Sequence, residues 1–313
     1  MSARTIGVTG ASGFLGASLL RALEADPAVR VIALTRTLGP FHAEPSPRVE
    51  WRQADLSSAE DCRPFVADVD AIVHLAHTNT PLTSNRSLPS DALVNADPTL
   101  TLLQAIRDVG TKPHLVYASS GGALYRPSAD GKPVDEDSPL EPLTSYGILK
   151  LAFEHYLRMG AHEGWLSATV LRIGNPYGVL LPAERLQGLI GVAVHQLIDG
   201  RPVRVFGDLG NVRDYVHLDD VCDAFLRALD PPGAFGIYNI GSGRGTSVQE
   251  VLDILERVTR GAVSIERDDV PGDAARLQRW VVLDSAKAER ELGWRAQVEL
   301  EAGIRAMWEA AAR

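Results

Sequence analysis

Cysteine is scarce in this chain. Two occur in 313 residues, Cys62 and Cys222, far apart and outside any ligand-type spacing. A disulfide scaffold and a thiolate metal site are excluded, and two small buried thiols in a reducing compartment are expected. Positive charge is short as well: 31 Lys and Arg stand against 40 Asp and Glu, a net charge of −9. That excludes a general nucleic-acid role but not a local basic pocket for a phosphate. No apolar run reaches membrane-spanning length. Residues 1–5 lead into a strand without a signal-peptide pattern. Repeats and low-complexity tracts are also lacking. The expectation is a soluble, cytoplasmic protein with no metal, no nucleic acid and no membrane partner. The length suffices for a large single core or two domains.

What the chain does have is punctuation by glycine. Residues 6–9 read as a short buried strand, followed by Gly10-Ala11-Ser12-Gly13-Phe14-Leu15-Gly16 and a helix over 17–24. Strand, tight turn and helix are the context that a dinucleotide fingerprint needs, because the turn sets backbone amides and the positive helix end against a pyrophosphate. Gly10 allows the turn, Gly13 the close approach and Gly16 the packing of helix on strand. The spacing is GxxGxxG. Further strands are expected over 29–34, 49–53, 71–76, 114–118 and 167–173, alternating with helices, which predicts a doubly wound parallel sheet. An acid for a ribose is expected at the end of the second strand, yet the chain reads Thr35-Arg36 there. Arg36 either pairs with a 2′-phosphate, pointing to NADP, or is a solvated loop residue. Asp55 either accepts from an adenine amino group or caps the following helix. His74 and His77 flank the end of the fourth strand, where a packed role is the more common one.

Tyr146 and Lys150 are four apart at the start of an apolar-periodic helix, hence one turn apart on one face. An ammonium beside a phenol favours the phenolate, so the tyrosine pKa is expected to fall, giving a proton-transfer group near neutral pH. Ser119-Ser120-Gly121-Gly122 ends the fifth strand at the same sheet edge. After residue 174 the pattern is less regular: a helix over 187–198, short strands at 203–206 and 236–240, and a helix over 218–229. This half reads as a smaller α/β substrate region. Residues 1–174 are expected to form the dinucleotide-binding domain and 175–313 mainly the substrate region, with parts of 212–245 returning to the first. The cleft between them is the expected site.

In this order and spacing the motifs resemble the extended short-chain dehydrogenase/reductases, specifically their nucleotide-sugar epimerase/dehydratase group, of which UDP-galactose 4-epimerase is the type. The matching marks are Thr9 to Gly16, Asp55-Leu56, His74-Leu75-Ala76, Ser119 to Gly122, Tyr146-x-x-x-Lys150, Arg172-x-x-Asn175-Pro176-Tyr177-Gly178 and Val212-Arg213-Asp214-Tyr215. The resemblance implies a Rossmann fold and NAD as cofactor, with NADP open because of Arg36. It implies cofactor contacts at Gly10, Gly13, Phe14, Leu15, Gly16, Arg36, Asp55, Leu56, Leu75, Ala76 and Asn95, together with Tyr146 and Lys150. Tyr146 becomes the acid/base and Lys150 the ribose holder. Ser119 or Ser120 bonds the sugar oxygen, and Ser120, Gly121, Tyr146, Asn175, Arg213 and Arg276 contact the substrate. For Arg213 a surface ion pair with Asp214 or Asp219 is the alternative. A homodimer through residues 89–109 and 144–160 is expected by the same analogy.

Two departures stand out. Gly121 occupies the place of the usual catalytic Ser or Thr, and the ribose acid is absent. Gly122 and Ala123 stand where related dehydratases carry an Asp-Glu pair, which argues against dehydration. The expected activity is 4-epimerisation of an NDP-sugar, most simply a UDP-sugar, through a 4-keto intermediate. The alternatives are an NAD(P)H-dependent 4-keto-nucleotide-sugar reductase and a non-catalytic nucleotide-sensing protein.

Overall fold

The computed structural model describes residues 4–37, 46–128, 131–268 and 280–311. Its first half alternates strands and helices: β1 (Arg4–Thr9), α1 (Phe14–Glu24), β2 (Val29–Thr35), β3 (Val49–Gln53), α2 (Ala59–Ala67), β4 (Ala71–His74), α3 (Leu88–Val109), β5 (His114–Ser120), the short α4 (Gly121–Leu124), α5 (Ser145–Glu163) and β6 (Ser167–Ile173). The second half adds β7 (Asn175–Tyr177), α6 (Leu189–Ile198), β8 (Val203–Phe206), β9 (Val212–His217), α7 (Leu218–Ala228), β10 (Phe235–Ile240), β11 (Gly245–Ser247), α8 (Val248–Thr259), β12 (Ile265–Asp268), β13 (Trp280–Val281), α9 (Ala286–Leu292) and α10 (Leu300–Ala311). The helices α8, α9 and α10 lie beyond the sequence expectation.

Seven strands form one parallel sheet in the order β10-β6-β5-β4-β1-β2-β3. Its central strands are buried on both faces, which is why they read as continuous apolar runs rather than alternations. One core cluster joins α1, α7 and Trp294 to one face; another joins α2, α3 and α5 to the other. This is the doubly wound Rossmann arrangement. The strand order turns around β1 and β4, so the crevice beyond their carboxyl ends is the natural ligand site. β10 returns to this sheet beside β6, and α7 packs against α1.

The smaller region has its own core around Tyr177, Ile190, Val251 and Ile304. It is built on β11-β9-β13, with β7 beside β9, and on the pair β12-β8. Asp214 on β9 is buried at 1% exposure. Its carboxylate accepts from Ser242 N and Oγ, Gly243 N and Leu283 N at 2.6–3.2 Å. Cys62 and Cys222 are buried free thiols, and burial pushes them up to about 11 and about 12. No described helix is long and apolar enough to cross a membrane.

Candidate active site

A cleft of about 1020 Å³ lies between the carboxyl edge of the sheet and the smaller region. At its floor is the glycine turn. Gly10 has φ +68, and a Cβ there would sit 2.7 Å from Ala76 N, so only glycine lets β1 and the segment after β4 approach. A Cβ on Gly16 would meet the carbonyl oxygens of Gly10 and Ala11 at 2.5 and 2.6 Å, which is the helix-on-turn packing. Gly13 differs: its added Cβ meets only Gly10 O, at 3.3 Å. Gly13 caps α1 without a side-chain hydrogen bond, and the first turn of α1 has no acid. The amides there keep their donors for a ligand. A pyrophosphate fits this place.

Around the turn, Phe14, Leu15, Arg36, Asp55, Leu56, Leu75 and Ala76 all line the cleft. Asp55 Oδ1 accepts from Ser57 N at 3.0 Å, whereas Ser58 is the residue that caps α2. Thr35 Oγ1 bonds Ser12 Oγ at 2.9 Å and donates to Thr37 O at 2.6 Å, so hydroxyls occupy the place of the missing ribose acid. Arg36 is exposed and points to Thr78 Oγ1 at 3.5 Å. Asn95 also lines the cleft, but its amide serves the protein: Oδ1 accepts from Thr78 N at 2.7 Å, and Nδ2 donates to Asp91 O and Oδ1. It braces the segment after β4.

α5 delivers the pair. Thr144 caps it by accepting from Gly147 N, and Gly164 ends it at φ 74. Tyr146 lines the cleft beside Ser120, whose hydroxyl works to lower the phenol's pKa. Lys150 is buried, donates to Ala118 O at 2.7 Å, and its Nζ lies 5.5 Å from the Tyr146 ring centroid. The electrostatics differ from the sequence expectation. Burial pushes the Tyr146 phenol up to about 12, against the effect of the Ser120 hydroxyl. Burial also pulls Lys150 down to about 7, against the nearby Glu154 carboxylate. Desolvation therefore outweighs the ammonium in the ligand-free protein, and Tyr146 is a phenol there.

The two serines part company. Ser119 Oγ donates to Glu154 Oε1 at 2.6 Å, and Glu154 is held by Arg172 at 2.7 Å in a buried pair. Ser120 alone of the two meets Tyr146. Gly121 is turned away from the cleft: its Cβ would strike Leu283 at 2.6 Å. The glycine that faces Asn175 is Gly122. A side chain at position 121 would press on the Leu283 methyls, whereas Ser120 lines the cleft.

The smaller region supplies Asn175, whose Nδ2 donates to Asp214 O at 3.3 Å, and Arg213, whose Nη1 donates to Val212 O at 2.8 Å; both line the cleft. Arg276 lies outside the described residues. His74 is packed as expected, bonded to Thr9 Oγ1 and Thr99 Oγ1 and stacked on Tyr117. His77 lines the cleft edge-on to Tyr146, with ring centroids 4.8 Å apart, and burial holds it neutral.

A switch-point crevice with a glycine turn, a Tyr–Lys helix and a serine at its side defines a dinucleotide-dependent α/β enzyme. The chain belongs to the NAD dependent epimerase/dehydratase family, whose model matches residues 6–241. It is 34% identical over 305 residues to a UDP-glucose 4-epimerase of Mycolicibacterium smegmatis, covering 95% of each chain. It is 32% identical over 238 residues to a dTDP-4-dehydro-6-deoxyglucose reductase of Escherichia coli, covering 76% of this chain and 73% of that one. Its fold is similar to that of the UDP-glucose 4-epimerase of Thermotoga maritima solved with UDP-glucose, at TM-score 0.89 and 30% identity over 97% of each chain. The Thermus thermophilus UDP-glucose 4-epimerase solved with NAD gives 0.88 and 30%, over 98% of this chain and 99% of that one.

Proposed function

We propose that the protein is an NDP-sugar 4-epimerase that uses a UDP-sugar and a tightly held NAD, working in the cytoplasm as a homodimer. The observation that carries this reading is the contact of Ser120 with Tyr146, one turn from Lys150, in a cleft that Arg213 and Asn175 line from the other side. Gly10, Gly13, Phe14, Leu15 and Gly16 hold the pyrophosphate, Asp55 and Leu56 the adenine end, and Lys150 the nicotinamide ribose. The bound nicotinamide supplies reversible hydride chemistry and, when oxidised, a positive charge. Tyr146 takes the proton of the sugar C4 hydroxyl and gives it back after the 4-keto sugar has turned over. Ser120 bonds the same oxygen. Arg213 grips the diphosphate as a bidentate donor, and Asn175 steadies it, so the sugar turns without leaving.

A 4-keto-sugar reductase is the second reading. The buried phenol is an acid at rest, which a ketone reduction needs first, and Arg36 suits a 2′-phosphate. Incubation with UDP-glucose, UDP-N-acetylglucosamine and UDP-glucuronate, without added cofactor, separates the two. A C4 isomer from at least one is expected, and none from any would sink the epimerase reading. Tyr146→Phe is expected to lose turnover by at least about a hundredfold while still binding nucleotide; unchanged turnover would remove Tyr146 from the acid/base role.

A further inference from the structure

Arg185 belongs to the segment between β7 and α6, which comes from the smaller region. Its own amide donates to Pro182 O, closing a turn that carries the side chain to the cleft. There the guanidinium carbon lies 5.4 Å from the ring centroid of Phe14, the first residue of α1. The side chain is half-buried, and burial lowers its pKa. Among the described residues no carboxylate or carbonyl accepts from it. The adjacent Glu184 is taken by Arg201 at 2.8 Å.

Two positive elements thus converge with no anion between them among the described residues. One is the uncapped, acid-free first turn of α1; the other is a desolvated guanidinium stacked on that turn's first side chain. A half-buried cation with no counter-ion is costly unless a ligand supplies the charge. We propose that Arg185 reaches across the cleft to the pyrophosphate of the bound dinucleotide and straps it in place. This rests on the dinucleotide reading of the glycine turn. The strap is carried by the substrate half of the protein, so the cofactor leaves only when that segment lifts. An enzyme that regenerates its cofactor in every turnover benefits from such a strap; one that exchanges it does not.

Calorimetric titration of cofactor-depleted protein with ADP-ribose, adenosine and UDP tests the assignment. Arg185→Gln is expected to weaken ADP-ribose at least about tenfold, with adenosine and UDP unchanged and Arg185→Lys in between. NAD retained through gel filtration is expected to fall in the same order. Unchanged ADP-ribose affinity overturns the proposal. Weaker UDP binding with ADP-ribose intact also overturns it, because the cation would then serve the nucleotide sugar. Equal weakening of all three ligands overturns it as a general loss of structure. Failure of the unsubstituted protein to bind ADP-ribose would instead sink the dinucleotide reading itself.

Discussion

Tyr146 and Lys150 are one turn apart, and burial decides what each is at rest. Spacing alone speaks for an activated phenolate; the desolvated site holds a phenol and a lysine poised near neutrality. The same desolvation reaches the histidines beside them. His74 and His77 are pulled down to about 3 and about 2, mainly by burial and then by the Lys150 charge. Their folded pKa values lie below the unfolded value of about 6.5. Below that pH the unfolded chain takes up protons that the folded chain refuses, so stability falls as pH falls. Between pH 7 and 5 a single such histidine costs about 2 kcal/mol. Urea unfolding of His77→Leu is expected to show a pH loss smaller by about that amount, and parallel losses would contradict it. At this scale the serine choice was hidden in the sequence. Adjacent strand residues point to opposite faces, and only the distant partners, Glu154 for Ser119 and Tyr146 for Ser120, tell which serine faces the ligand. For Asn95 the resemblance implies a cofactor contact, while its bond to Thr78, 17 residues away, is one that no local pattern announces. Arg185 left one usable signal, a lone cation in the connection between β7 and α6.

At the scale of elements, the glycine turn does two separable things. Gly10 and Gly110 both have positive φ, +68 and +76, but a Cβ on Gly10 meets the backbone of Ala76, whereas one on Gly110 meets nothing within 4 Å. Alanine at Gly110 is expected to cost only the left-handed conformation, about 1–2 kcal/mol. Alanine at Gly10 is expected to cost more and to abolish ADP-ribose binding. Equal unfolding midpoints for the two variants would refute the close approach. The strands of the main sheet were readable because burial on both faces leaves unbroken apolar runs, and residues 167–173 coincide with β6. The α8 helix was not read, although its start carries a capping box from Ser247 to Glu250. Short strands such as β11 and β13 owe their existence to pairing with β9, which no local pattern announces.

Across the whole molecule, α3 and α5 cover one face of the sheet and leave large apolar side chains outside. Leu93 on α3 is 67% exposed and Ile148 on α5 is 55% exposed, with Leu88, Tyr156 and Met159 on the same two helices. A patch of this kind suits a second copy of the chain. Light scattering is expected to find a dimer, and Ile148→Asp a monomer; an unchanged mass would move the interface elsewhere. The grip of Asp214 on Ser242, Gly243 and Leu283 has a consequence for how this protein can change over generations. The strand β9 sends Asp214 inward and its neighbour Arg213 to the cleft, so the two faces of one strand are under separate constraints. Substitutions at Arg213 leave the inner fastening intact, and a lineage can therefore shift its ligand preference there without relearning how to fold.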